Sequence, residues 1–110
     1  MELNWYYLFK DLQEMQKAIP KNTLRKATVD GTKVCLINQN GKLKATADLC
    51  PHQAASLSGG RLNAFNEIIC PLHGYRFELN NGRETDQRCD DLEIHQIDVR
   101  SDGIYLGIYQ

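Results

Sequence analysis

An all-β fold, a small antiparallel β sandwich, is what this sequence predicts, on three observations. Asx-Gly pairs stand at Asp30-Gly31, Asn40-Gly41, Asn81-Gly82 and Asp102-Gly103, and such pairs supply the positive φ angles of tight hairpin turns. Short segments containing apolar residues lie between these turns, as in a small sandwich or barrel. Residues 49–79 break the pattern with two Cys-Pro pairs, a Gly59-Gly60 pair and little sustained alternation. Something other than ordinary strand packing shapes that segment.

In chain order, Trp5, Tyr7 and Phe9 alternate with Tyr6 and Leu8, which predicts a first strand with aromatic packing in the core. Asp11 and Glu14 have capping-box spacing, and Leu12, Met15 and Ile19 recur three to four residues apart, predicting one or two helical turns that Pro20 interrupts. Residues 23–29, 33–39 and 43–49 read as a three-stranded meander, and residues 93–99 with 104–108 as a closing hairpin. No internal repeat, low-complexity tract or linker divides the sequence, so one domain over residues 1–110 is expected.

Composition narrows the functions. The 110 residues, 42% hydrophobic and 25% charged, suffice for one modest core and not for a multidomain enzyme. Lys and Arg number 13 against 14 Asp and Glu, leaving no positive excess to hold nucleic acid or an acidic membrane face. Glu2 stands where an export signal carries a basic residue, and no apolar run approaches the length of a membrane span, so a cytoplasmic protein is expected. The cytosol keeps thiols reduced, so Cys35, Cys50, Cys70 and Cys89 point to metal binding or plain burial rather than disulfides.

Two of those cysteines sit in matched settings: Cys50-Pro51-His52 and Cys70-Pro71-Leu72-His73, with seventeen residues between His52 and Cys70. Each loop offers one thiolate and one imidazole, a donor set suited to iron or zinc. Two donors within three or four residues require a turn, which proline stiffens. A mononuclear Cys2His2 zinc site remains open at this point, although zinc fingers usually pair like with like within each local segment.

CPH, seventeen residues, then CPLHGY resembles the Cys-x-His and Cys-x-x-His pattern of Rieske [2Fe-2S] proteins. The resemblance implies that a subdomain of two loops binds a [2Fe-2S] cluster, with Cys50 and Cys70 on the inner iron and His52 and His73 on the outer one. A fully ligated cluster has no open position for substrate, so one-electron transfer is its natural chemistry. With His52 and His73 assigned, His95 alone remains of the three histidines, too few for the mononuclear iron of an oxygenase. No Gly-x-Gly-x-x-Gly motif offers a nicotinamide site. The resemblance therefore implies a free-standing ferredoxin and not an enzyme, with a flavin-containing reductase as donor and an oxygenase or other oxidoreductase as acceptor. The small Rieske-like subunit of nitrite reductases and a zinc-stabilised interaction module are the alternatives. Ala55 and Leu72 stand where respiratory Rieske subunits carry a loop disulfide, which sets that branch aside.

The remaining residues carry smaller expectations. Pro51, Gln53, Leu57, Pro71, Leu72 and Gly74 form an uncharged docking tip. Cys35 is a buried inert thiol, Cys89 is exposed, and His95 is a solvated strand histidine. Residues 1–49 hold 8 basic and 5 acidic residues and residues 50–110 hold 5 and 9, with Asp86, Asp90, Asp91 and Glu93 clustered in a solvated loop.

Overall fold

The computed structural model describes residues 2–110; Met1, the first residue of the expected domain, lies outside them. Its elements are β1 (Leu3–Phe9), α1 (Leu12–Ala18), β2 (Leu24–Val29), β3 (Thr32–Gln39), β4 (Lys42–Ala47), a 3-10 turn at Leu57–Gly59, β5 (Arg61–Leu62), β6 (Glu67–Ile69), β7 (Arg76–Glu78), β8 (Ile94–Arg100) and β9 (Gly103–Tyr109). The longer strands form a sheet in the order β1-β9-β8-β4-β3-β2, and the short ones a second sheet, β5-β6-β7. Every pairing is antiparallel.

The large sheet is two three-stranded halves joined by a narrow seam. Strands β4 and β8 pair only through Ala45 with His95 and Thr46 with Ile94. Folding about this seam brings Val34 and Leu36 of β3 into one core with Ile104, Leu106 and Ile108 of β9. Met15 of α1 and Ile19, the residue that caps its C-terminal end, close that core, both fully buried. Asp11 Oδ1 caps α1 by accepting the Glu14 amide at 2.8 Å. Glu14 reaches back to the amide of Lys10 at 3.2 Å, one residue earlier than in a standard capping box. Buried Asn38 donates to the Ile19 carbonyl at 2.7 Å and accepts the Gly41 amide at 2.7 Å, tying the helix end to the β3–β4 turn.

Strand β3 is buried on both faces. Val34 and Leu36 face the first core, whereas Cys35 and Ile37 face a second one with Cys50, Leu57, Ile68, Cys70, Phe77, Leu79 and Leu92. The second sheet and its loops thus form a third layer, which is why Val34 to Ile37 reads as an unbroken apolar run.

Several expectations need correction. His95, expected to be solvated, is 7% exposed. It sits at the seam and lines a cavity there together with Lys42, Lys44, Leu79 and Asn80. Trp5 and Tyr7 lie outside the core, which Tyr6, Leu8 and Phe9 flank instead; the register shift between Tyr7 and Phe9 turns Phe9 inward. Strand β4 ends at Ala47, and Leu49 makes an isolated bridge to Ser56. The last hairpin turns through Ser101 and Asp102, with Gly103 already paired to Arg100.

Candidate metal centre

Two loops of equal length carry the Cys-Pro motifs. Leu49 bridges Ser56, and inside that bridge the Cys50 amide donates to the Ala55 carbonyl at 2.9 Å. Ile69 pairs with Arg76, and inside that pair the Cys70 amide donates to the Tyr75 carbonyl at 2.8 Å. Each loop is therefore a hairpin tip closed from its cysteine to the fifth residue onward. Ala54 at φ 55° and Gly74 at φ 71° occupy equivalent positions, both left-handed, where such a short chain must reverse. His73 is left-handed as well, at φ 66°. For a residue with a Cβ this conformation costs about 1 kcal/mol, and it turns the histidine outward at the tip.

The four candidate donors divide by depth. Cys50 and Cys70 are 2% and 1% exposed in the floor of the second core, and both thiols are free. Burial pushes the Cys70 thiol up, with Cys50 and Cys89 adding to the rise against the pull of the Leu72 amide, which donates to its sulfur at 3.4 Å. His52 is half-buried and His73 exposed, their ring centroids 5.3 Å apart. His52 Nδ1 is buried without a hydrogen-bond partner. An unsatisfied buried acceptor is costly in a native protein, and beside two buried thiols it suits a metal. Buried thiols below and more exposed imidazoles above match a binuclear centre with mixed donors, so the donor set fits a [2Fe-2S] group.

Residues that the sequence reading passed over hold the loops in place. Asp48, fully buried, accepts the Ser56 hydroxyl at 2.6 Å and the Ser58 amide at 3.0 Å. On the other side Glu84, also fully buried, accepts Arg88 Nε at 3.0 Å and Nη2 at 2.8 Å, together with the amides of Asp86 and Arg88. The Arg88 bonds lead the effects that bring the Glu84 carboxyl down to about 2. The signals were an acid two residues before Cys-Pro-His and a Glu-Arg pair four apart. Cys89, expected to be exposed, is half-buried against the second core, and Leu57 of the expected docking tip is fully buried beneath the loop. Pro51, Gln53, Pro71, Leu72 and Gly74 are exposed as anticipated. Cys35 is fully buried, and burial drives its thiol up to about 12.

A two-sheet β domain presenting thiols below and imidazoles above in paired loops defines a class, the iron–sulfur proteins with mixed Cys and His donors. The chain belongs to the Rieske [2Fe-2S] domain family, whose match covers residues 5–96. It is 42% identical over 65 residues to the ferredoxin component of a naphthalene 1,2-dioxygenase system from Pseudomonas aeruginosa, 59% of this chain and 62% of that relative. It is 38% identical over 65 residues, the same shares of each, to the ferredoxin component of naphthalene 1,2-dioxygenase/salicylate 5-hydroxylase systems from a Ralstonia species. The alignments thus span less than two thirds of those relatives. Among solved structures, the ferredoxin of carbazole 1,9a-dioxygenase from Nocardioides aromaticivorans superposes with a TM-score of 0.73 at 27% identity, over 82% of this chain and 88% of that one. A nitrite reductase small subunit from Mycobacterium tuberculosis superposes at 0.81 over 100% and 99% of the chains, but at 16% identity that likeness shows the fold alone. No helix among the described residues is long and apolar enough to cross a membrane.

Proposed function

We propose that this chain, acting as one domain over residues 1–110, is a one-electron carrier that takes electrons from a flavin-containing reductase and delivers them to a terminal oxygenase in the cytoplasm. The carrying observation is the pair of matched loops, which sets two buried thiols beneath two imidazoles at an uncharged tip. Cys50 and Cys70 hold the inner iron, and His52 and His73 the outer one. Bound there, a [2Fe-2S] cluster supplies one-electron redox chemistry at a centre with no vacant coordination position. The buried cysteines keep water from the sulfur side, while exposed His73 brings the outer side within reach of a partner. Exposed Pro51, Gln53, Pro71 and Leu72 around it suit a small, fast-dissociating interface. The dioxygenase ferredoxins to which the chain is similar favour an oxygenase as acceptor.

Purified protein tests this reading. The expected product is red-brown, with two irons and two acid-labile sulfides per chain, and is reduced by one electron without consuming an organic substrate. Cys50→Ser, Cys70→Ser, His52→Ala and His73→Ala are each expected to abolish that spectrum, and Cys35→Ser and Cys89→Ser to keep it. A colourless zinc-loaded protein would falsify the assignment, as would hydroxylation of a substrate by the reduced chain alone.

A further inference from the structure

One side of the loop pair carries a column of stacked groups that the ligand assignment does not use. The Tyr75 ring lies on the His52 ring with centroids 3.8 Å apart and planes 13° from parallel. Over Tyr75 stands the Arg88 guanidinium, 3.8 Å from the ring centroid. Arg88 is in turn gripped by both carboxylate oxygens of buried Glu84. A guanidinium bound in this bidentate way is a rigid plate, and a cation over an aromatic face is attracted to it. Among the described residues no comparable stack lies on His73, whose ring is tilted 59° to that of His52.

Metal-bound histidines are usually oriented by a hydrogen bond from the ring nitrogen that does not ligate. Among the described residues His52 Nδ1 has no hydrogen-bond partner, and the Tyr75 ring stacked on the imidazole is the contact that sets its plane. We propose that Glu84, Arg88 and Tyr75 act as positioning residues that fix the His52 ring for ligation, with the Arg88–Glu84 ion pair backing the stack. The proposal rests on His52 being a ligand. It makes the two histidines unequal, one clamped by a charged stack and one free at the tip. Arg88 and Glu84 neutralise each other, so removing the Arg88 guanidinium leaves the buried Glu84 carboxylate uncompensated and disfavours the reduced state, which carries one more negative charge.

The test compares holoproteins of wild type, Tyr75→Phe, Tyr75→Leu and Arg88→Met for iron release to a chelator, the g-tensor of the reduced cluster and the reduction potential at pH 7. Tyr75→Phe keeps the ring and is expected to match wild type in g-tensor and release rate. Tyr75→Leu and Arg88→Met are expected to release iron severalfold faster with an altered g-tensor, and Arg88→Met to shift the potential negative. Faster release with unchanged g-tensor and potential in both would mean ordinary packing and overturn the proposal. Wild-type behaviour of both, or a Tyr75→Phe as disturbed as Tyr75→Leu, would overturn it as well. A wrong ligand assignment is told apart by His52→Ala, which would then retain the wild-type spectrum.

Discussion

Replacing Asp48 by Ala removes the clamp on the first loop. Its carboxylate is fully buried, with the Ser56 hydroxyl at 2.6 Å and the Ser58 amide at 3.0 Å, so truncation removes both charge-assisted bonds, leaving the half-buried Ser58 amide unpaired and the Ser56 hydroxyl with only its 2.9 Å contact to the Ser58 hydroxyl. Hydrogen bonds to a charged acceptor contribute about 1.5 kcal/mol each at the low end of their range, giving about 3 kcal/mol for the pair. Lys26, 3.9 Å away and 46% exposed, adds little. Asp48→Asn keeps an oxygen for the Ser58 amide and an amide that the Ser56 hydroxyl can accept, and is expected to lose about 1 kcal/mol. At 1.4 kcal/mol per tenfold change, 3 kcal/mol raises the open population of the loop roughly a hundredfold. Iron release from the holoprotein to a chelator, where opening limits access, is expected to quicken by about that factor in Asp48→Ala and by less than tenfold in Asp48→Asn. Release at the wild-type rate from Asp48→Ala, or equal rates from the two variants, would refute the clamp.

Burial holds His95 below its ordinary 6.5, with Glu93 opposing and Lys42 and Lys44 lining the same cavity. The unfolded chain therefore takes up the proton first, and stability is expected to fall as pH drops from about 6.5 towards the depressed value. His95→Phe should flatten that slope in denaturant midpoints between pH 7.5 and 5.5, and an unchanged slope would count against it. Gly82 is left-handed at φ 79°, and a Cβ there would collide with the Leu92 carbonyl. Gly82→Ala is expected to cost about 3 kcal/mol in thermal or denaturant unfolding, and a loss under 1 kcal/mol would contradict the crowding. The reduction potential is expected near the low end of the roughly −150 to +300 mV Rieske range. Phe77 has no hydroxyl, and the Tyr75 ring lies flat on His52, so neither is arranged to donate to a cluster sulfur. Voltammetry placing the wild type in the upper half of that range would reject this account.

Within the sequence, local chemistry already determined much of the fold and the donor set. Asx-Gly turns fix a meander because they dictate backbone angles within a few residues, and β2, β3 and β4 follow from Asp30-Gly31 and Asn40-Gly41. The Asp11 cap is equally local. Cys50, His52, Cys70 and His73 were legible because two donors close in sequence must share a turn. Tertiary structure decided what depends on a layer arriving from far along the chain. Strand alternation sets which residues share a face but not what packs on that face, so His95 reads as solvated although it is 7% exposed at the seam, beside a cavity whose lining includes Leu79 and Asn80. Burial of Leu57 and Cys89 has the same origin in the packing of the second core. The Glu84–Arg88 pair and Asp48 were visible as residues, but their meaning depends on meeting Tyr75 and the Ser56–Ser58 turn in space. Stacking and charge-assisted hydrogen bonding act over a few ångströms, and only the folded chain brings those atoms that close.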